Sequence, residues 1–399
     1  MTRGAHRPAK AWAAVAGLWV LVAAMNCFYI VPSGILPVVI AELSIGPTAA
    51  SALVSVMFGA QVIVGVPAGL AIDRVNTRVG IASATAVLLI AFVLAWQAAT
   101  AGGFWWLLGV RGVATAAIAA IWTASVNVTG RLFPPDRRAT AVGVVTGAPV
   151  AGFAIGLVTG PIVAEWLGWS TVFVVYAAPA LAGCGLFLAV TGGIDLRGGD
   201  LPRPALGDVR SLLSNRAIWI VSSMSFLAYS VFAFVTTWVP TYLTESLGIT
   251  LASGGLIAAV FPAIGTVARG SSGVVSDRVF ARRRRPVALL AFLVTLPCLV
   301  LLYVSGSVPI VAGALVLAGL FVQLGQGLFF AQARELSAPN VAATAVGFTT
   351  SLGTLGGFVA PLVGGLLLER AGFGAAFAYA VCLAGLGVLV AGLTPESET

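Results

Sequence analysis

The sequence predicts an all-α integral membrane protein with twelve transmembrane helices in two related six-helix bundles. Three observations predict it: an apolar composition, twelve apolar runs of membrane-spanning length, and a sequence pattern that recurs after a long fixed interval. Of the 399 residues, 59% are hydrophobic and 9% are charged, whereas ordinary soluble domains carry about 25% charged residues. The composition therefore excludes a water-soluble globule.

The apolar runs set the number of helices. A hydrocarbon core about 30 Å thick needs about 20 apolar residues per helix, and the runs between polar breaks have this length. They cover roughly residues 12–36, 50–72, 79–98, 104–130, 140–164, 171–191, 217–240, 252–275, 287–305, 308–333, 343–367 and 373–393.

One long polar connection divides these runs into two sets of six. Residues 193–216 contain several glycines and prolines among Asp and Arg residues, a composition typical of a loop. We predict an N-terminal bundle over residues 1–192, a cytoplasmic linker over 193–216 and a C-terminal bundle over 217–399.

The basic residues predict the orientation. If the N-terminus is cytoplasmic, 18 of the 21 basic residues fall on cytoplasmic segments, in agreement with the positive-inside rule. This asymmetry explains the net charge of +8 without a nucleic-acid partner. It predicts a multi-pass protein of the cytoplasmic (inner) membrane with both termini in the cytoplasm.

Two short loops share the pattern G-x-x-x-D-R-V-x-x-R, beginning at Gly69 and Gly273, 204 residues apart. The same offset relates Ala139–Gly143 to Ala343–Gly347, which indicates two copies of one unit. The pattern resembles the loop motif of the major facilitator superfamily of secondary transporters. This resemblance implies two parallel six-helix halves around a midplane site that opens alternately to each side.

The resemblance also implies that the loop charges close the cytoplasmic side during transport. The alternative is a pair of solvated turns that obey the positive-inside rule. The residues assigned to gating are Asp73, Arg74, Arg78, Asp277, Arg278 and Arg282.

Glycines and prolines in the fifth and eleventh runs predict close helix packing and bending, because small residues three or four apart let membrane helices approach. The fifth run, with the spacing G-x8-G-x3-G-P, also resembles an antiporter-associated motif. The residues concerned are Gly147, Gly156, Gly160, Pro161, Gly356 and Pro361.

Two arginines, Arg111 and Arg269, lie within apolar runs, where each costs at least about 2.5–3.5 kcal/mol and needs a compensating role. Arg269 resembles the eighth-helix arginine of monocarboxylate and oxalate transporters, which implies that it binds a substrate carboxylate. Arg111 resembles a fourth-helix arginine of the superfamily, which implies an assisting role. The alternative for each is snorkelling to the membrane surface. No Asp or Glu lies in the middle of any run, which favours an anionic substrate.

Other candidates for substrate binding are polar residues that share helix faces. Their alternative role is hydrogen bonding between helices. They are Asn26, Tyr29, Tyr229, Thr236, Gln323 and Gln326.

Absences exclude most enzymes. Lys10 is the only lysine and His6 the only histidine, so the chain has no phosphate-binding loop with its lysine and no H-E-x-x-H zinc site. We predict no catalytic residues, cofactor or metal. The predicted function is secondary transport of a small organic or inorganic anion by a monomer in the lipid bilayer. The alternatives are a proton-coupled exporter of drugs or metabolites and a non-transporting receptor; a coupling ion is left open.

Overall fold

In the computed structural model of this chain, the structure describes residues 8–73, 75–192, 196, 206–280, 283–338 and 340–394. These residues form α-helices joined by short connections. The helices of the first half are α1 (Pro8–Gly34), α2 (Leu36–Leu43), α3 (Pro47–Asp73), α4 (Thr77–Thr100), α5 (Phe104–Leu132), α6 (Pro135–Leu167) and α7 (Ala177–Val190), with a 3-10 helix (Trp169–Phe173) before α7.

The remaining helices begin within the predicted linker. They are α8 (Leu206–Ser214), α9 (Arg216–Glu245), α10 (Leu251–Val279), α11 (Arg284–Val304), α12 (Val308–Glu335) and α13 (Ala342–Gly392). The polar composition of residues 193–216 gave no sign of the short helix α8.

The first predicted run, 12–36, is not one helix. It is broken at Ile35, between α1 and α2. Pro37 lies in the first turn of α2 and has no N–H to donate to the carbonyl of Ser33, so α1 cannot continue unchanged through this point.

Eleven helical segments in the described part of the chain are long and apolar enough to cross a membrane. The last of them, α13, has 51 residues and contains Gly372, whose φ of 77° and ψ of −178° are not helical. A positive φ favours glycine, which has no Cβ. Gly372 therefore divides α13 into two helices, so the described residues contain twelve segments of membrane-spanning length and composition, as predicted. The all-α membrane fold is confirmed.

The packing of the second half repeats that of the first. α1 packs on α6 as α9 packs on α13, and α5 lies against α3 and α4 as α12 lies against α10 and α11. Contacts between the halves are paired in the same way, α3 with α13 and α10 with α6. The sequence repeat thus corresponds to a structural repeat.

The glycines of α6 lie where α6 crosses its neighbours. A Cβ on Gly156 would lie 2.7 Å from Ile30 Cγ2 and one on Gly160 would lie 2.6 Å from Val31 Cγ2, both on α1, whereas Gly147 faces Thr266 of α10. In the second half, Gly356 of α13 contacts the backbone of Phe226 on α9.

Gly152, also on α6, gives a direct test of this packing. In a Gly152→Ala variant the new Cβ would lie 2.4 Å from the carbonyl oxygen of Ala23, so α1 would have to move, and overpacking of this kind costs about 1–3 kcal/mol. We expect a lower melting temperature in detergent. Gly143→Ala is the matched control, because a Cβ there meets nothing within 4 Å. Equal melting temperatures for the two variants would contradict this account.

The two ends of the bundle differ. One end, called the basic end, carries Arg78, Arg131, Arg278 and Arg284 at helix termini. At the opposite end, called the closed end, the two halves touch.

Close contacts define the closed end. Glu369 of α13 accepts hydrogen bonds from the hydroxyl of Thr48 (2.6 Å) and from its backbone N–H (3.4 Å), in the first turn of α3. Gly255 of α10 lies against Leu157 and Pro161 of α6. Nearer the basic end, a Cβ on Gly65 or Gly347 would meet nothing within 4 Å. Among the described residues, close contacts between the halves are thus found at the closed end.

Candidate functional site

A cavity of about 440 Å³ lies between the two halves, on the basic-end side of their contacts. Residues of α1, α3, α5 and α6 line it on one side, and residues of α9, α10, α12 and α13 line it on the other. Among the described residues that line it, Arg269 of α10 is the only charged one.

Two buried amides of α12 hold the guanidinium of Arg269. Arg269 Nη2 donates to Oε1 of Gln323 (2.7 Å) and to Oε1 of Gln326, and Nε donates to Oε1 of Gln323 (3.2 Å). Both glutamines are fully buried. An arginine has five N–H donors and no acceptor, so the amide oxygens, rather than their NH₂ groups, must face it.

This arrangement fixes the position of Arg269 without neutralising it. An amide is uncharged, so two amide acceptors leave the full positive charge on the guanidinium. Gly265 makes room for the side chain of Gln323, because a Cβ at position 265 would lie 2.6 Å from Gln323 Cγ. The Nε2 atoms of Gln323 and Gln326 are buried and have no hydrogen-bond partner among the described residues. The two buried amides therefore leave their own NH₂ groups unpaired while their oxygens orient the guanidinium of Arg269.

Three residues predicted from helix faces do line the cavity. Asn26 and Tyr29 of α1 lie on one wall and Tyr229 of α9 on the other. The Asn26 Nδ2 atom donates to the carbonyl of Val22 at 2.8 Å. The Tyr29 hydroxyl is buried and has no partner among the described residues. Asn26 and Tyr229 are 203 residues apart, the offset that also relates Pro37 to Pro240 near the start of each half, so equivalent positions of both halves meet here.

Arg111 does not reach the cavity. It is fully buried between α1, α3 and α5, where it donates to the backbone carbonyls of Leu53 (2.7 Å), Phe28 (2.9 Å) and Tyr29 (2.7 Å). Its guanidinium also lies over the rings of Phe28 and Phe173, at 4.9 and 5.7 Å. The predicted assisting contact with substrate has no support in this geometry.

A proline explains the position of Arg111. In a helix, the carbonyl of Phe28 would accept from the N–H of the residue four positions later, but that residue is Pro32, which has no N–H. Arg111 supplies the missing donor. It therefore stabilises α1 directly beside Tyr29, which lines the cavity.

Three more predicted substrate contacts lie outside the cavity wall. The Thr236 side chain is buried and donates to the carbonyl of Phe232, four residues earlier (2.8 Å). Gln323 and Gln326 contact Arg269 instead of the open cavity. In this structure, these two glutamines orient the guanidinium of Arg269.

The predicted gating residues are described only in part. Arg74 and Arg282, and the side chains of Asp73 and Asp277, lie outside the described residues. Arg278 is exposed. Arg78 donates to the carbonyl of Leu188 (3.0 Å), which joins α4 to α7 within the first half.

Several residues of the cavity were not predicted. The aromatic ones, Phe58, Phe153, Phe232 and Phe330, look in sequence like any phenylalanine of a membrane helix, because the sequence does not show which helix face meets the other half. Gln61 of α3 also lines the cavity. As a lone amide in an apolar run it could have been recognised.

The family relationship follows from a match across most of the chain. Residues 18–361 match the profile of the Major Facilitator Superfamily. The chain belongs to the Major Facilitator Superfamily. It is therefore a multi-pass membrane transporter of a small molecule and not an enzyme, as the sequence predicted.

Relatives within the superfamily include transporters named for anions. The chain is 25% identical to the nitrite extrusion protein of Bacillus subtilis over 278 residues, which cover 66% of this chain and 62% of that protein. It is 24% identical to the probable nitrate transporter NarT of Staphylococcus haemolyticus over 83% of each chain. It is 25% identical to the hexuronate transporter of B. subtilis over 66% of each. The chain thus aligns with less than two thirds of the nitrite extrusion protein.

Solved structures support the superfamily fold. A bacterial homologue of the human lysosomal transporter Spinster, in an inward-facing and unoccupied conformation, superposes with a TM-score of 0.81 at 16% sequence identity over 98% of both chains. The inward-facing and occupied conformation gives a TM-score of 0.80 at 17% identity over 98% of this chain and 97% of that chain.

Proposed function

We propose that this transporter moves small organic or inorganic anions across the cytoplasmic membrane by alternating access, with Arg269 as the cation that binds the substrate. One observation carries this proposal: the guanidinium of Arg269 lines the cavity between the halves, and its hydrogen bonds to described residues go only to neutral amides. A charge in a low-dielectric site interacts strongly with an opposite charge. A bound anion would supply the missing counter-charge.

Arg111 adds to the same field from behind the cavity wall. Its charge is fully buried and bonds to carbonyl groups only, in the hydrogen bonds described above. It touches the backbone of Tyr29, whose side chain lines the cavity. Two fixed positive charges therefore favour an anion in the cavity, although only Arg269 is placed to contact it. The names of the three relatives, for nitrite, nitrate and hexuronate, agree with this charge preference.

The alternative function, proton-coupled export, lacks a proton-exchanging residue among the described residues of this site. None of the described residues that line the cavity is Asp or Glu, so the cavity offers no carboxyl group to exchange a proton. The glycines of the antiporter-like run pack α6 on α1 and α10, a role that does not depend on the direction of transport.

The orientation of the transporter follows from its basic end. Arginines at the helix termini of this end support a cytoplasmic location for it, because basic residues are enriched on that side of the membrane, and both chain termini are cytoplasmic in this proposal. The cavity then opens toward the cytoplasm. The loop residues Asp73, Arg74, Asp277 and Arg282, together with Arg78 and Arg278, would meet when this end closes.

A screen of melting temperatures tests the charge preference. We expect nitrate, acetate, benzoate or glucuronate to raise the melting temperature of the purified protein, because binding to the folded state stabilises it. Tetraphenylphosphonium, a lipophilic cation, should have no effect. Stabilisation by the cation alone would contradict the proposal.

The bond between Glu369 and Thr48 gives a test of alternating access, because it must break when the closed end opens. Thr48→Val removes the hydroxyl donor, and a hydrogen bond to an exposed charged group is worth roughly 0.5–1 kcal/mol. We expect an increase of about threefold in the population that is open at this end. The increase can be measured as faster maleimide labelling of Ser51→Cys, a buried position at this contact, in a chain without its native cysteines.

Glu165→Gln is the control for the gate. Glu165 is the repeat counterpart of Glu369, is exposed, and makes no hydrogen bond within the part of the chain that the structure describes. The Glu165→Gln variant should leave the labelling rate of Ser51→Cys unchanged. Equal labelling rates in Thr48→Val and the parent chain would show that the bond does not hold the gate.

A further inference from the structure

The walls of the cavity are richer in aromatic rings than an inorganic anion requires. Among the residues that the structure describes, seven aromatic residues and one charged residue line it. Its volume of about 440 Å³ lies in the range of about 300–1,000 Å³ that is typical of pockets for larger organic ligands. The aromatic residues are Tyr29, Phe58, Trp122, Phe153, Tyr229, Phe232 and Phe330.

Four of these rings form a continuous aromatic floor, defined as Tyr29, Phe58, Phe153 and Phe232. Ring centroids are 4.8 Å apart for Tyr29 and Phe58, 5.6 Å for Tyr29 and Phe153, and 5.6 Å for Phe153 and Phe232. The last pair is stacked and joins α6 of one half to α9 of the other. The floor lies on the closed-end side of the cavity.

Three rings at the cavity wall, those of Trp122, Tyr229 and Phe330, have no aromatic partner among the described residues. Trp122 of α5 and Phe330 of α12 line the cavity from opposite halves. Aromatic rings are most stable in edge-to-face or offset pairs with centroids 4.5–7 Å apart. A ligand ring in the cavity could form such pairs with Trp122, Phe330 and the aromatic floor.

Three threonines of the wall are hydrogen-bonded within the protein, whereas the hydroxyl of Tyr29 has no partner among the described residues. The hydroxyls of Thr146, Thr350 and Thr354 donate to carbonyls of their own helices at 3.0, 2.8 and 2.8 Å. Most of the lining is apolar, so a ligand with many hydroxyl groups would exchange several hydrogen bonds to water for few in the cavity, which is unfavourable. A second negative charge would find no second cation in the described lining of the cavity, and an ammonium group would face Arg269.

From this combination we infer that the substrate is an organic monoanion: one carboxylate that binds Arg269, joined to a compact aromatic or apolar body that lies between Phe330, Trp122 and the aromatic floor. The inference rests on the proposed function, and narrows it to a chemical class that the names of the relatives do not describe. It requires that affinity depend on the charge and on the ring together.

Calorimetric titration of the purified full-length protein tests this with a series of simple probes. Benzoate should bind at least about tenfold more tightly than acetate or nitrate, because only benzoate carries a ring to bury. Benzamide has the ring without the charge, phthalate has a second charge, and glucuronate has hydroxyl groups in place of an apolar body. These three should bind at least about tenfold more weakly than benzoate.

A substitution in the cavity wall separates the contribution of the ligand's ring to affinity from the contribution of its charge. Phe330→Leu should weaken benzoate binding about fivefold and leave acetate binding unchanged, since acetate does not reach the ring. Trp105→Leu is the control for an aromatic substitution in a membrane helix. Trp105 is 79% exposed and lies outside the cavity, so both affinities should stay at the parent values.

The outcomes distinguish the two proposals. If nitrate, acetate or glucuronate binds as tightly as benzoate and Arg269→Gln removes that binding, this inference is overturned and the proposed anion transport stands. If no anion binds in a manner that depends on Arg269, both fail. Tighter binding of benzoate that Phe330→Leu does not weaken also overturns the placement of the ring. The probe series on the parent chain decides the matter even if Phe330→Leu does not fold.

Discussion

Arg269→Gln is expected to lower the affinity for a transported anion about 100-fold, because it removes the one cation among the described residues that line the cavity. Truncating one partner of a desolvated charge pair costs about 2–5 kcal/mol, and each 1.4 kcal/mol is a factor of ten in affinity. The measurement is calorimetric titration with benzoate and acetate. Arg269→Lys keeps the charge but not the planar group that both amides hold, so we expect a smaller loss of about tenfold.

Arg285→Gln is the matched control. Arg285 is an exposed arginine at the start of α11 and is not among the residues that line the cavity. Its replacement removes the same charge from the chain without touching the site, so the affinity should be unchanged. If Arg285→Gln and Arg269→Gln reduce affinity equally, the effect comes from net charge and not from the site.

Arg111→Met is expected to destabilise the protein and lower its melting temperature by roughly 5 °C or more. The carbonyl of Phe28 would lose the donor that replaces the missing N–H of Pro32. A hydrogen bond to a charged group contributes about 1.5–3 kcal/mol, and a buried unsatisfied carbonyl costs a similar amount. A loss of about 2–4 kcal/mol corresponds to a shift of this order. The measurement is thermal unfolding in detergent.

A double-mutant cycle tests the explanation through Pro32. Pro32→Ala restores an N–H for the carbonyl of Phe28, so Arg111→Met should cost less in the Pro32→Ala background than in the parent chain. Coupling between residues that share a hydrogen-bonding partner is the expected sign of direct interaction. A normal melting temperature for Arg111→Met together with lost anion binding would instead support the direct substrate contact that the sequence suggested.

The fold could be predicted because the features that determine it can be read from the order of the residues. Apolar runs, the distribution of arginine and the offset of 204 residues are one-dimensional signals, and each gave the same architecture. The break at Ile35 follows from Pro37 and could have been foreseen. The helix α8 was missed because the Gly- and Pro-rich composition of residues 193–216 predicts a loop, although Leu206, Val209 and Leu212 recur at helical spacing.

The site was harder to predict because the sequence shows embedded polar residues but not what they face. In the sequence, Arg111 and Arg269 look alike, since each is an arginine within an apolar run. In the structure, Arg111 donates to backbone carbonyls, whereas Arg269 donates to two amides beside a cavity. Gln323 and Gln326 were correctly placed on one helix face, but their partner lies on α10. Thr236 could have been excluded, since threonine in a helix commonly bonds to the carbonyl four residues earlier.

The central claim is that an anion held by Arg269 crosses the membrane as the two halves rearrange, and counterflow in proteoliposomes tests it most directly. Vesicles loaded with the unlabelled anion that most stabilises the protein are diluted into a trace of the same anion with a radioactive label. We predict transient accumulation of label with the parent protein and Arg285→Gln, and none above protein-free vesicles with folded Arg269→Gln. Accumulation by Arg269→Gln at the parent rate would contradict the account.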